Sequence, residues 1–179
     1  MIWLTNPPIH FGDVLVHKQI ASTLGIDEAD IVPDVPAQVV SAGNPLVFVA
    51  LRDERAVDAA LSDRVRLTKL LRARKAFGVY LFAAAGADRL YSRMFSPDIP
   101  EDPASGSAGG PLGAFAVKYG LLERRPTVSF VSEQGTKMGR QSFLHIELTY
   151  DDGADIPSRS EVGGSVIPVL SGTLSDFGR

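Results

Sequence analysis

The sequence contains no cysteine among its 179 residues. This absence excludes disulfide scaffolds, thiolate metal sites, cysteine nucleophiles and racemases that use two thiols. Histidine is also scarce, at three residues. Acid or base chemistry in this chain therefore depends on carboxylates, lysines or these few histidines.

A strong excess of charge is missing as well. The formal net charge is −3, which gives no electrostatic reason to expect nucleic acid or an anionic membrane as partner. No apolar run reaches the roughly 18 to 20 residues that a membrane-spanning helix needs. The N-terminal sequence MIWLTNPPIHFG has no basic region, long apolar stretch or cleavage site typical of a signal peptide, so we expect a cytoplasmic protein.

The composition that is present fits one domain with a substantial core. Hydrophobic residues make up 45% of the chain and charged residues 22%, and the length is closer to one domain than two. Apolar periodicity and turn residues predict alternating short strands and helices. The predicted elements are a helix over 14–26, strands within 36–51, a helix over 52–78, a hairpin over 79–95, and strands over 127–132, 142–150 and 165–174.

The helix predicted over 52–78 has the clearest pattern. Val65, Leu67, Leu70 and Leu71 are spaced for one buried face, and Gly78 is expected to end the helix. We interpret the basic residues of this segment as a solvated face rather than a nucleic-acid patch, because Phe77 is the one aromatic residue beside them. They are Arg64, Arg66, Lys69, Arg72, Arg74 and Lys75.

The stretch EDPASGSAGG, residues 101–110, places two adjacent carboxylates and a Gly/Ser-rich turn before an apolar run. The run predicts a helix over 108–119 that is ended by Gly120, with Ser107 as its N-cap and Pro111 in its first turn. Lys118 is its single charged residue, so the helix is expected to be buried on all sides, inside a wrapping of strands. Its N-terminal N–H groups would form an anion site.

This region resembles the PhzF-like phenazine-biosynthesis isomerases and epimerases, whose signature here is an acidic residue followed by Asp-Pro-Ala-Thr/Ser-Gly-Ser-Ala and a buried helix. The resembling segment runs RMFSPDIPEDPASGSAGGPLGAFAVKYGL. Weaker matches in the same order are VVSAGNPLVFVAL, EQGTKMGRQS and VGGSVIPVLSGTL. Together these motifs cover most of the chain.

The resemblance implies an α+β fold of the diaminopimelate-epimerase-like class, in which each half is a curved, mostly antiparallel sheet or barrel around one central helix. Residues 1–179 would form a single domain that resembles the C-terminal part of a two-domain protein. The family's first domain carries an Asn-x-Ser-Glu segment with the catalytic base and a Gly-His-Pro-Thr turn, and neither occurs in this sequence. The nearest match, Ser132-Glu133, belongs to the EQG motif instead.

The resemblance also implies the roles of individual residues. Asp102 would be the carboxylate opposite the base, where it assists proton delivery or holds a polar group of the substrate. Ser107 would donate a hydrogen bond to the substrate, and the N–H groups of Gly106 and Ser107 would hold its carboxylate. Ser105 and Ala108 complete the expected binding turn. The chemistry is general acid and base catalysis, with no metal and no organic cofactor expected.

Other interpretations of the same residues are possible. Asp102 is alternatively a cap at the entry of a helix. A P-loop would need a lysine after the glycines, and none lies between Lys75 and Lys118. SGSAG lacks the first glycine of a nucleophile elbow. His145 has no second ligand at metal-binding spacing and is expected to be an ordinary strand residue.

Two functional hypotheses follow. The first is a PhzF-like isomerase or epimerase that moves a proton on a small carboxylate-bearing substrate and is inactive without a first domain. The expected partners are that substrate and either a second copy of the chain or a complementary first-domain chain, with no nucleic acid and no membrane. The second is a non-catalytic subunit that binds a small carboxylate or another protein.

Overall fold

The computed structural model describes residues 1–173, which form nine strands and four α-helices. The strands are β1 Ile2–Thr5, β2 His10–Leu15, β3 Ala37–Ser41, β4 Leu46–Ala50, β5 Gly78–Gly86, β6 Arg89–Phe95, β7 Thr127–Gln134, β8 Ser142–Thr149 and β9 Arg159–Gly164. The helices are α1 His17–Leu24, α2 Glu54–Ala59, α3 Arg64–Arg74 and α4 Gly109–Lys118. In this part of the chain, no helix is long and apolar enough to cross a membrane.

All nine strands belong to one sheet, in the order β1-β9-β8-β7-β6-β5-β4-β3-β2. The first two strands of the chain are therefore its two edges. In a flat sheet they would lie about 38 Å apart, whereas the five steps from Thr5 to His10 span at most about 18 Å. The sheet must curl until its edges approach each other. The Asn6 N–H donates to the Ser160 carbonyl at 2.9 Å and holds the link against β9.

Two neighbouring strand pairs, β4 with β5 and β6 with β7, are parallel, and the other pairs are antiparallel. A parallel pair needs a crossover connection, which is right-handed almost without exception. Because β5 and β6 run in opposite directions, right-handed crossovers place the two connections on opposite faces. The connection through α2 and α3 crosses the outer face, and the connection through α4 crosses the inside.

The interior of the curled sheet is filled by α4, whose residues 109–117 are all buried. Phe115 lies against the rings of Phe48 and Phe82, at centroid distances of 6.0 and 5.8 Å. On the opposite side, a Cβ on Gly113 would lie 2.7 Å from both Leu148 and Phe130. The glycine thus allows the helix backbone to approach β7 and β8 closely. The prediction of a central buried helix is confirmed.

A second core lies between the outer face of β3–β6 and the helices α1, α2 and α3. Strand β4 and residues 78–83 of β5 are consequently buried on both faces, while β8 alternates between buried and more exposed residues. Leu144, Ile146, Leu148 and Tyr150 form the buried side, in agreement with their alternation with polar residues in the sequence.

The single helix predicted over 52–78 is wrong, because two helices occupy the segment. Asp63 starts the second one, since its side chain accepts from the N–H groups of Val65 and Arg66 at 2.9 and 3.1 Å. Lys75, not Gly78, ends it in a left-handed conformation, and Gly78 begins β5. Val65 lies on the outer side, 79% exposed, and not on the buried face.

The strand predicted over 165–174 is also wrong for 165–173, which have no regular structure, and residue 174 lies outside the described residues. The strand in this region is β9, which ends at Gly164. Gly164 is paired with Ile2, the first residue of β1. The hairpin of β5 and β6 and the remaining predicted elements are confirmed within a few residues.

Candidate active site

The loop between β6 and α4 carries the two adjacent carboxylates, and the structure gives them different environments. Glu101 accepts two hydrogen bonds from the Arg93 guanidinium, at 2.9 and 2.8 Å. Arg93 is itself buried and donates to the Val57, Asp58 and Ala60 carbonyls at the end of α2. The charge of Glu101 is therefore neutralised by an internal ion pair, whereas Asp102 has no ion-pair partner among residues 1–173.

Asp102 is fixed to the sheet through its backbone, since its N–H donates to the Met94 carbonyl at 3.0 Å. Its carboxylate oxygen Oδ2 accepts from the Ser105 hydroxyl at 2.6 Å. The other oxygen, Oδ1, receives one long contact of 3.4 Å from the Ala104 N–H. Asp102 is partly exposed at this position. One oxygen is thus held, and the other is available to a ligand.

The N-terminus of α4 lies directly after Ser105. A 3₁₀ turn, Gly106–Ala108, precedes α4, and its N-cap is Ser105. The prediction that Ser107 is the N-cap is therefore wrong, because Ser107 lies inside the turn, and Ala108, the last residue of the turn, directly precedes α4. Ser107 is exposed and makes no side-chain hydrogen bond within the described part of the chain. Ser105, Gly106, Ser107 and Ala108 do lie together with Asp102 at the entrance to the barrel, as the sequence predicted.

The N–H groups at this turn remain open to a ligand. The Ala108 N–H donates to the Ser105 carbonyl at 3.0 Å, and the Gly109 N–H donates to the Gly106 carbonyl. The N–H groups of Gly106 and Ser107 have no hydrogen-bond acceptor among residues 1–173. Nothing lies within 4 Å of the position of a Cβ on Gly106. The turn can therefore present two adjacent N–H groups, and the positive end of the α4 dipole, to an anion.

Gln134 completes the site, although no pattern in the sequence indicates a role for it. Its amide oxygen accepts from the Ser105 N–H at 3.1 Å, and its amide nitrogen donates to the Asp102 carbonyl at 2.7 Å. The EQG motif that contains it was noted only as a family match. Its position at the inner end of β7 depends on the parallel pairing of β6 with β7, which no local pattern predicts.

Glu133, the neighbouring carboxylate, is fully engaged elsewhere. It accepts hydrogen bonds from Thr136, Gln141 and Arg89 on the outer side of the sheet. Burial raises the pKa of Glu133, but these three donors outweigh burial and leave the pKa below its usual value. A carboxylate saturated with donors and facing away from Asp102 does not serve as a base for a substrate at Asp102.

A groove of about 640 Å³ adjoins the site at Ala104 and continues along Val131, Phe143 and His145. His145 is partly buried on the outer side of β8, paired with Val131 and Gly163. Residues 1–173 contain no group of three side chains arranged to hold a metal ion.

The chain is similar to a known protein family over nearly its whole length. A model of the PhzC-PhzF family, described as phenazine biosynthesis-like proteins, matches residues 1–172. The chain belongs to this family. An uncharacterized isomerase of Clostridium acetobutylicum is 29% identical over 182 residues, with 97% of this chain and 60% of the relative covered.

Two other proteins are also similar to this chain. The trans-2,3-dihydro-3-hydroxyanthranilate isomerase of Pseudomonas chlororaphis is 30% identical over 158 residues, covering 87% of this chain and 52% of the relative. A crystal structure of a PhzF-family phenazine biosynthesis protein from Bacillus anthracis superposes with a TM-score of 0.79 at 18% identity, covering 91% of this chain and 56% of that one. The fold is the diaminopimelate-epimerase-like α+β class that the sequence predicted. The chain spans about half the length of these PhzF-like relatives.

Proposed function

We propose that this chain is one half of a PhzF-like isomerase or epimerase, the half that carries the proton-donating acid. The enzyme would move a proton on a small carboxylate-bearing substrate without a cofactor. The observation that carries the proposal is the pairing of Asp102, a carboxylate with no ion-pair partner within residues 1–173, with open N–H groups at the entrance to a buried helix. Membership of the family and the names of the relatives support an isomerase.

Each group of the site has a role in this proposal. The N–H groups of Gly106 and Ser107 bind the substrate carboxylate, and the Ser107 hydroxyl, which is exposed, donates to a second polar atom of the substrate. Asp102 Oδ1 delivers a proton or holds an amine or hydroxyl group. Ser105 orients Asp102 through its hydroxyl and Ala108 closes the turn. Catalysis of this kind needs a base on the opposite face of the substrate.

We propose that the base comes from a segment that these 179 residues do not include. Residues 1–179 would then form a single domain equivalent to the C-terminal part of the relatives, with the active site between it and a second half. Glu133 does not replace the base, because its three donors hold it on the other side of the sheet. We therefore expect no isomerase activity from the chain alone.

The second half also supplies a reason to expect association. The outer face of β1 and β8 carries Trp3 and Phe143, which are 44% and 48% exposed, whereas helices cover the outer face of β3–β6. We propose that a second copy or a complementary chain covers this apolar surface. Sedimentation at tens of micromolar tests this, and a monomer that persists with and without the complementary chain contradicts it. The cytoplasmic location stays a prediction, which cell fractionation would check.

Incorporation of solvent deuterium tests the activity. The chain, alone and mixed with the unmatched part of the Clostridium acetobutylicum relative, is incubated in D₂O with a dihydro-hydroxyanthranilate-like acid and followed by NMR. We expect exchange in the mixture only, and its loss in Asp102→Asn. The matched control is Asp98→Asn, which changes an exposed carboxylate of the same loop. Exchange by the chain alone would contradict the need for a second half.

A non-catalytic carboxylate-binding or interaction subunit is the second candidate. It is favoured by the engagement of Glu133, which leaves the site without a visible base among residues 1–173. Under this alternative, benzoate perturbs the amide resonances of Gly106 and Ser107, while no mixture exchanges deuterium.

A further inference from the structure

The side chain of Gln134 lies at the inner end of β7 and is completely buried. It makes four hydrogen bonds. Its amide oxygen accepts from the Ser105 N–H at 3.1 Å and from the Tyr80 hydroxyl at 3.0 Å. Its amide nitrogen donates to the Asp102 carbonyl at 2.7 Å and to the Ser105 hydroxyl oxygen at 3.0 Å.

The orientation of this amide is determined by its neighbours. The Ser105 N–H can only donate, so the atom facing it must be the amide oxygen. The Asp102 carbonyl can only accept, so the atom facing it must be the amide nitrogen. A flipped amide would place two donors against each other at Ser105 and two acceptors against each other at Asp102. Gln134 is therefore hydrogen-bonded to both ends of the Asp102–Ser105 segment.

The amide acts on the Asp102 carboxylate through Ser105. Because the Ser105 oxygen accepts from Gln134, its own proton is free to point at Asp102 Oδ2, to which it donates at 2.6 Å. The direction of donation runs from Gln134 to Ser105 to Asp102. This chain holds Oδ2 and leaves Oδ1 as the oxygen open to a ligand.

A buried hydroxyl cluster supports the amide from the sheet. Tyr80, completely buried, donates to the Gln134 oxygen, and its own oxygen lies 2.9 Å from Ser92 and 3.2 Å from Ser132. Ser92 donates in turn to the Glu133 carbonyl at 2.8 Å. Burial raises the pKa of Tyr80, which keeps its hydroxyl protonated as a donor. Three strands thus fix one amide.

The backbone next to Gln134 confirms how closely the loop is seated. Gly135 has a φ of +79°, and a Cβ there would lie 2.8 Å from the Pro103 carbonyl oxygen. The Asp102–Ser105 segment therefore rests directly on the end of β7. No space remains for a water molecule between the loop and the Gly135 backbone.

We propose that Gln134 is the positioning residue of the site, which sets the direction of the Asp102 carboxylate and of the Ser105 hydroxyl relative to the N-terminus of α4. The proposal rests on the proposed function for its consequence, carboxylate binding. The positioning itself is independent of catalysis and is measured in the chain as it stands.

The test compares Gln134→Met, which keeps the length and loses all four hydrogen bonds, with Gln38→Met. The control makes the same change at another buried glutamine, whose amide donates to the Gly12 carbonyl and accepts from the Tyr119 hydroxyl, with no hydrogen bond to Gln134 or the loop. Amide exchange at Ser105, the Asp102 ¹³Cγ resonance and benzoate affinity are measured by NMR.

We expect Gln134→Met to speed exchange at Ser105 and weaken benzoate binding by about tenfold each, the size of one ordinary hydrogen bond. The Asp102 resonance should move in the direction seen in Ser105→Ala. Gln38→Met should leave all three within about twofold of the wild type. Equal changes in both variants, or none in Gln134→Met, would overturn the proposal.

The experiment remains decisive if Gln134→Met does not fold or if the wild type does not bind benzoate. If Gln134→Met does not fold, Tyr80→Phe removes one donor to the same amide and should show the same changes at smaller size, whereas an unchanged Ser105 and Asp102 would overturn the proposal. If benzoate does not bind the wild type, the proposed function fails at this site, while the Ser105 exchange and Asp102 resonance still decide the role of Gln134.

Discussion

The chain connects two pairs of parallel strands, and the two connections have opposite environments. Between β4 and β5, the helices α2 and α3 cross the outer face, and α3 turns its charged side to solvent. Between β6 and β7, α4 crosses the interior, and its residues 109–117 are buried without a charged side chain. A crossover connection thus covers the outer face of the sheet in one case and fills its interior in the other.

The difference shows how topology places the site. A helix that lies on a sheet has solvated ends, whereas a helix enclosed by a sheet meets solvent only at the openings of the barrel. The N-terminus of α4 is at one such opening, and the loop that leads into α4 places Asp102 at the same opening. The site therefore belongs to the enclosed connection, and perturbing each connection separately tests this distinction.

The largest effect is expected from Phe115→Ala in α4. The ring is completely buried against Phe48, Phe82 and Tyr119, so its removal leaves a cavity that the enclosing sheet cannot close. We expect a loss of about 3 to 5 kcal/mol in the free energy of unfolding, measured by urea titration. A loss below about 1 kcal/mol would show that α4 is not a rigid centre of the barrel.

The opposite side of α4 is tested by Gly113→Val. Its Cβ would lie 2.7 Å from Leu148 and Phe130, so the helix or the strands must move apart. We expect a loss of about 3 kcal/mol by the same measurement. The control is Gly164→Ala, where nothing lies within 4 Å of the new Cβ. Similar stabilities for the two variants would contradict a close approach of α4 to the sheet.

The parallel pair that α4 connects is tested through pH. Glu133 of β7 accepts from Arg89 of β6, and its pKa in the folded protein is lowered. A lowered pKa gives stability that is present above the unfolded pKa and is lost as the pH falls through the folded value. Relative to Glu133→Gln, we expect the wild type to be about 1 kcal/mol more stable at neutral pH.

This advantage should shrink below about pH 4 as Glu133 becomes protonated. Urea titrations of both proteins between neutral and acidic pH measure it. A difference that is constant over this range would show that Glu133 acts through packing and not through its charge.

The smallest effect is expected on the outer connection, from Val65→Lys. The side chain is 79% exposed on α3, so the free energy of unfolding should change by no more than about 0.5 kcal/mol. Leu67→Lys, which alters a completely buried neighbour, is the contrasting variant. A strong loss with Val65→Lys would indicate that a partner or another segment covers this face.

The central helix and its entrance could be predicted from the sequence because both depend on local chemistry. A run with one charge, at Lys118, is typical of a buried helix, and the serines and glycine of residues 105–107 favour a turn before it. The alternation in β8 likewise revealed its buried face. The division between α2 and α3 has one local signal, Asp63, whose side chain caps α3.

The remaining features depend on contacts between distant segments. Gln134 and Asp102 are 32 residues apart and meet because β7 pairs with β6. The assignment of Ser105 rather than Ser107 as the hydroxyl next to Asp102 depends on one 3₁₀ turn. The pairing of β9 with β1 likewise joins the two ends of the described chain.

That last pairing has a consequence for the order of folding. Ile2 and Gly164 are partners, so the ladder between β1 and β9 encloses a loop of nearly all the described residues. Contacts of such long sequence separation are slow to form, because the entropy of closing the loop is lost before they stabilise anything. We expect β1 to join last, after the sheet has curled around α4, and its amide protons to gain protection later than those of β5 during refolding.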